Sequence, residues 1–255
     1  MRRLTSGVAF AALYGLLIFL WWLIAYLNRG AGSPFVGPVQ LVRAVWDQWP
    51  VLQPSLAATA EEAALGFAAG VCLAVVLSLV TIRFRYLGTL IGRLALVLYS
   101  LPLIAIAPLL VIWFGAGLVT KVTIAALASF FLVLVNFSTA LVSTDRQALE
   151  MMEVIGAPFM TVSVRVRIPY ALPSLFASFR AAAPAAVIGA TVAEWVGANQ
   201  GLGITILSAM QSYSIPLLWS SIFVVSLLSL VSYGFFAVLG RKLFPWHESN
   251  ATSGA

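Results

Sequence analysis

Residues 94–120 contain 27 positions without a charge. A helix rises 1.5 Å per residue, so about 20 residues cross the ~30 Å hydrocarbon core of a bilayer, and a run this long predicts a membrane span. Pro102 and Pro108 inside it remove helical donors, which predicts a kinked or broken helix whose freed carbonyls face a neighbour or a cavity. Five more apolar runs fit the same length: 4–28, 63–82, 122–144, 174–196 and 217–239. The 174–196 run carries Arg180 and Glu194 near its two ends. The first run follows Met1-Arg2-Arg3, and Trp21-Trp22-Leu23-Ile24 at its end offers no small-residue cleavage site, so it reads as a retained helix rather than a secretory signal.

Composition agrees with a multispanning protein. Hydrophobic residues make up 62% of the 255-residue chain and charged residues 9%, with a mean hydropathy of +1.04. The net charge of +6 comes from single or paired basic residues, not from a basic stripe interleaved with aromatics, so nucleic acid is not an expected partner. The lone cysteine, Cys72, reads as a packed core thiol. His247 is the only histidine, so a histidine-based metal site or a Ser/His/Asp triad cannot be assembled, and no cofactor is implied. Gly115 and Thr120-Lys121 suggest a phosphate loop, but the second glycine is missing and Val122 stands where a magnesium-binding hydroxyl belongs. The chain is therefore not expected to bind ATP or to be an enzyme.

Between the first two runs, Val39, Val42, Val45, Trp46 and Trp49 recur at helical spacing, which predicts a short amphipathic helix at the outer interface. Glu61 and Glu62 stand at the mouth of the second run, and two readings apply: both lie in the interface, or Glu62 faces a polar pathway. Gly66 and Gly70 form a small-xxx-small pair that lets helices approach closely. With six spans and the N-terminus inside, 11 of the 14 basic residues fall on the cytoplasmic side, leaving Arg29, Arg43 and Lys121 outside. Both termini are then cytoplasmic, and so is the connection 143–173.

That connection is the one long polar interruption. It holds Asp145, Arg146, Glu150, Glu153, Arg165 and Arg167; Gly156 and Pro158 break its middle, and Pro169 and Pro173 are expected to close it. A short helix ending near Gly156, a turn at Ala157-Pro158 and a second helical piece to Arg167 would make a compact knob. Glu150-Met151-Met152-Glu153-Val154-Ile155-Gly156, nine residues, then Val166-Arg167-Ile168-Pro169 resembles the EAA loop of permease subunits in ATP-binding-cassette (ABC) importers. Met151-Met152 departs from the usual two alanines and makes a bulkier, softer surface. The resemblance continues through Leu101-Pro102-Leu103, Trp113-Phe114-Gly115 and Ala193-Glu194-Trp195 to Gly201-Leu202-Gly203, which look like the branch importing nitrate, sulfonates, taurine and the pyrimidine precursor of thiamine.

The resemblance implies an all-α membrane protein of the type I importer permease fold, with six transmembrane helices and a cytoplasmic coupling helix. It implies a multi-pass subunit of the bacterial cytoplasmic membrane, embedded in lipid. Its partners would be two ATP-binding-cassette ATPase subunits, an external substrate-binding protein and a second permease subunit forming a homodimer. The N-terminal helix occupies 1–32, the permease domain 33–247 and a polar tail 248–255. The resemblance assigns ATPase coupling to Glu150, Met151, Met152, Gly156, Ala157, Pro158 and Pro169. The substrate pathway is expected to involve Glu62, Trp113, Arg180, Glu194, Trp195 and Asn199. Arg180 either lines the gate or snorkels to the cytoplasmic interface, and Glu194, Trp195 and Trp113 have a second reading as helix-end or interfacial residues. Glu62, standing where anion importers carry a basic residue, and the ending Arg241-Lys242-Leu243-Phe244-Pro245-Trp246-His247 lean toward a neutral or cationic nitrogen heterocycle, against a sulfonate, taurine or nitrate anion. The alternative class is an ion-coupled secondary transporter with Glu62, Arg180 and Glu194 as its relay.

Overall fold

The computed structural model describes residues 2–28, 30, 34–100 and 102–244, without the side chains of 2–11, 85, 87, 89, 95, 98 and 99. Arg29, Ser33, Leu101, the end of the C-terminal motif at Pro245, Trp246 and His247, and the tail 248–255 lie outside the described residues. The described elements are helical: α1 (Arg2–Leu27), α2 (Pro38–Asp47), α3 (Trp49–Arg83), α4 (Arg85–Tyr99), α5 (Leu103–Phe114), α6 (Leu118–Val142), α7 (Arg146–Val154), α8 (Phe159–Val162), a π-helical turn (Ser163–Arg167), α9 (Ile168–Glu194), α10 (Leu202–Gln211) and α11 (Ile215–Leu243).

The core is a three-helix sandwich with α6 in the middle, packed on α3 and on α9. Small residues make the approach possible. A Cβ on Gly66 would overlap Ala125, and one on Gly70 would overlap Ser129 and the Ala126 carbonyl, while from the other side Gly189 lies against the Ala125 backbone. The small-xxx-small pair on α3 thus meets the Ala125–Ser129 stretch of α6 backbone to side chain. Lipid tails are as apolar as leucine, so this van der Waals fit replaces the hydrophobic drive of a soluble core. Toward one end, Phe67, Phe179 and Phe236 join α3, α9 and α11, with ring centroids 5.0 to 5.5 Å apart.

Among the described residues, four helices are each long and apolar enough to cross a membrane: α3, α6, the continuous stretch Phe159–Glu194, and α11. The 94–120 run splits into α4 and α5, with Pro102 as the N-cap of α5 and Pro108 inside it, so the expected break falls at the first proline. The predicted amphipathic helix is α2, which buries Leu41 and Ala44 and exposes Val39, Val42 and Trp46. It stops at Asp47; Trp49 already begins α3, which runs through Pro54 and is 35 residues long. Trp21 and Trp219 stack at 6.3 Å and donate to the Val36 and Pro34 carbonyls, binding the α1–α2 connection to α11.

Three expectations are corrected. Pro169 and Pro173 do not close the polar stretch, because helix is continuous across Phe159–Glu194. The π turn just before Pro169 widens the hydrogen-bond register, which lets the chain pass a residue without an N–H donor. Glu62 does not simply lie in the interface: its side chain is buried inside the protein, 4% exposed and paired with Lys121 of α6. Cys72 is exposed, since α3 buries the face of Gly66, Gly70 and Ala74 and turns Cys72 outward.

Gly70→Ala is expected to cost about 1–3 kcal/mol through overpacking, read as a lower melting temperature of purified permease in detergent. Gly234→Ala, where a Cβ meets nothing within 4 Å, is expected to leave it unchanged.

Candidate functional site

At the start of the long α8–α9 helix sits the knob. Asp145 caps α7, its carboxylate accepting from the Gln147 N–H at 3.1 Å, and Arg146 pairs with Glu150 one turn on at 2.9 Å. At the other end the Gly156 N–H donates to the Glu153 carbonyl and the Ala157 N–H to the Met152 carbonyl. This is a Schellman cap, and it needs a left-handed residue, supplied by Gly156 at φ 68°. Pro158 then stops further pairing and starts α8. α7 buries none of its residues: Met151, Val154, Ile155 and Met160 are 66 to 87% exposed. Phe159 anchors the knob to the end of α3, with the Arg83 guanidinium 5.5 Å from its ring centroid. These side chains form an exposed apolar patch on a doubly capped turn.

About 50 Å away, at the rise of the 36 residues Phe159–Glu194, a polar cluster occupies the helix's far end. Glu194, the last residue of α9, is fully buried. Its Oε1 accepts from Thr59 Oγ1 on α3 at 2.6 Å, and its Oε2 accepts from the Gly203 N–H in the first turn of α10. The Thr59 hydroxyl in turn accepts from the Leu202 N–H at 2.8 Å. A carboxylate at a helix N-terminus satisfies orphan amides and the local dipole together. Gly201, at φ 132°, leaves the space: a Cβ there would overlap the Glu194 carboxyl group. Ser55 and Thr205 bridge α3 to α10 at 2.9 Å.

Glu62 lies one turn beyond Thr59 on α3, and its Oε1 accepts from Lys121 Nζ at 2.5 Å. Its carboxyl group adjoins that of Glu194, and its buried Oε2 has no donor among the described residues. Beside this cluster the α5–α6 turn meets the α9–α10 turn, where a Cβ on Gly197 would stand 3.0 Å from Ala116.

The structure therefore gathers five of the six residues read as pathway. Glu62 and Glu194 are neighbours; Trp195 and Asn199 lie exposed in the turn after Glu194; Trp113, 64% exposed, ends α5 just before the turn that touches Gly197. Arg180 is separate, fourteen residues back along α9 and against Gly240 of α11, with a buried Nε that has no acceptor among the described residues. Coupling residues Glu150, Met151, Met152, Gly156, Ala157 and Pro158 share the knob, while exposed Pro169 lies inside the α9 helix. Sequence reasoning missed Thr59, Lys121, Ser55 and Thr205. Thr59 at three residues before Glu62 on one helical face was the available signal; Lys121 had none, because its partner is 59 residues away.

A family model described as binding-protein-dependent transport system inner membrane component matches residues 66–245. The chain is 33% identical over 97% of its length to the formylaminopyrimidine transport permease protein ThiX of Halalkalibacterium halodurans, covering 99% of that protein. It is 34% identical over 66% of its length to the riboflavin transport system permease protein RibX of Chloroflexus aurantiacus, covering 62% of it. It is 27% identical over 74% of its length to the putative aliphatic sulfonates transport permease protein SsuC of Bacillus subtilis, covering 68% of it. A crystal structure of an amino acid ABC transporter with histidines superposes with a TM-score of 0.63 at 16% identity, covering 77% of this chain and 95% of that one. The chain belongs to the binding-protein-dependent importer permeases: it is a transmembrane subunit of an ABC importer, working with ATPase and substrate-binding-protein partners, and is not itself an enzyme.

Thr59→Val keeps the side chain's shape but strips Glu194 Oε1 of its donor and the Leu202 N–H of its acceptor. A buried polar group left unpaired costs about 1–3 kcal/mol, so the melting temperature of the purified permease is expected to fall more than for Ser55→Ala.

Proposed function

We propose that the knob formed by α7, Gly156 and α8 seats in a groove of the ATPase, and that two such knobs in a permease homodimer are driven together when two ATPase subunits close on ATP. The observation that carries this reading is mechanical. The exposed knob runs without a break into the Phe159–Glu194 helix, whose far end holds the Glu194 cluster. A displacement at one end is passed along a rigid helix to the other. ATP-driven closure then biases an inward-facing arrangement over an outward-facing one through contacts that differ between the two states. Six spans with both termini in the cytoplasm fit this orientation, the knob lying on the side rich in basic residues.

The Glu194 cluster and the turn carrying Trp195 and Asn199 form the pathway, with Trp113 beside them and Arg180 nearer the knob. The substrate is a neutral or cationic nitrogen heterocycle of the aminopyrimidine kind, delivered by an external binding protein. Two features support it over an anion. The relative matched over nearly the whole chain is named for a formylaminopyrimidine, and the cluster's carboxylates outnumber its single lysine. Membership of the importer family replaces the ion-coupled alternative.

With permease, ATPase and binding protein in proteoliposomes, ATP-driven uptake of a radiolabelled aminopyrimidine is expected, with no uptake of radiolabelled taurine; uptake of taurine and not of the aminopyrimidine would assign the anion class instead. Gly156→Asp puts a charge on the knob and strains its left-handed turn. It is expected to lower ATP-driven uptake about tenfold or more, equivalent to at least ~1.4 kcal/mol of docking energy, with the ATPase no longer co-purifying. Glu194→Gln is expected to weaken uptake while ATPase association persists; unchanged uptake would remove Glu194 from the pathway.

A further inference from the structure

Two carboxylates buried side by side in membrane helices are costly unless their charge is offset. Glu62 and Glu194 are 4% and 0% exposed, and their carboxyl groups adjoin. The other charged groups facing them are Glu61 on α3, which is exposed and adds to the negative field, and Lys121 on α6. From α10 only backbone amides approach. Lys121 is the single positive charge in the cluster, its side chain 13% exposed.

Lys121 donates to Glu62 Oε1 but gives Glu194 no hydrogen bond. Glu194 is already satisfied by Thr59 and Gly203, and Glu62 keeps one oxygen without a donor even with Lys121 in place. What Lys121 supplies is charge. Its position also matters, since it follows Thr120, whose hydroxyl donates to the Gly115 carbonyl at 2.6 Å and so fixes the α5–α6 turn against which Gly197 packs. The same first turn of α6 thus holds the charge that balances Glu194 and the backbone that abuts the turn beyond it.

We propose that Lys121 is a positioning residue of the substrate pathway: its charge offsets the Glu62–Glu194 pair, keeps Glu194 seated against the N-terminus of α10, and thereby holds the 195–201 turn with Trp195 and Asn199 in place. This rests on the reading of that turn as pathway. The formal charge of Glu62, Glu194 and Lys121 together is −1. Lys121→Met makes it −2, Glu62→Gln/Lys121→Met restores −1 without any ion pair, and Glu62→Gln gives 0. The effect should follow this charge and not the presence of a salt bridge.

The test uses the assembled importer in open membrane fragments, with Ala198→Cys, at a buried position of the same turn, introduced after Cys72→Ala, and reads the rate of labelling by a water-soluble maleimide beside ATP-driven uptake. Lys121→Met is expected to label about tenfold faster, equivalent to about 1.4 kcal/mol, and to raise the half-saturating substrate concentration more than it lowers maximal uptake. Glu62→Gln/Lys121→Met is expected to return labelling to near the parental rate, and Glu62→Gln to leave labelling unchanged. Unaltered labelling in Lys121→Met, or a double variant labelled as fast as the single one, overturns the proposal. If Lys121→Met does not accumulate, the swap Glu62→Lys/Lys121→Glu, at the same formal charge, is expected to label at the parental rate, and a faster rate overturns it. Labelling that responds as expected with an unchanged half-saturating concentration upholds the latch and overturns the assignment of the turn to the pathway.

Discussion

The structure depends on how closely three helices approach one another. In lipid no hydrophobic gain separates a helix packed on a helix from one packed on acyl chains, so association rests on fit. Gly66 and Gly70 on α3 and Gly189 on α9 leave no side chain at the contact, and α6 presents Ala125, Ala128 and Ser129 to them. Because the backbones are that close, side chains just above the contact are close as well. Thr59 and Glu62 from α3, Lys121 from α6 and Glu194 from α9 meet there, and a wider bundle would leave each of them facing lipid or water.

The second constraint is continuity. The knob and the Glu194 cluster lie at opposite ends of one 36-residue helix, about 50 Å apart at 1.5 Å per residue. The start of that helix carries two proline positions that ordinarily end helices. The π turn at Ser163–Arg167 absorbs the missing donor at Pro169, and the helix goes on to Glu194. Each end is made rigid by a different device: a Schellman cap on glycine at the knob, and a buried carboxylate on the first turn of α10 at the other. Both use a residue's backbone freedom or charge to satisfy groups that helix termini leave unpaired.

Much of this was legible from the residues. Uncharged length marked the four span-length helices among the described residues, because the thickness of hydrocarbon is a fixed ruler. Pro102 marked the break between α4 and α5, the Gly66 and Gly70 spacing marked the face of α3 that packs, and Gly156 and Pro158 marked the turn of the knob. Local rules failed where long-range packing decides. Cys72 was expected inside and is outside, because the direction of α3's buried face is set by α6. Pro169 was expected to end a loop and lies within a helix, because a register change five residues wide leaves no compositional mark. Glu62 was left between the interface and a pathway, since nothing around it in the sequence announces a lysine 59 positions away.

The sequence by itself determined the solvent: a chain this apolar, with charge confined to a few short segments, folds as helices in a membrane. It also determined where backbone must bend, since proline and glycine act through their own dihedral limits. Only the tertiary structure decided which ionisable residues are neighbours. Glu62, Lys121, Thr59 and Glu194 come from three helices, and the energy of a buried charge depends on what stands within a few ångströms of it, a distance that sequence order does not encode.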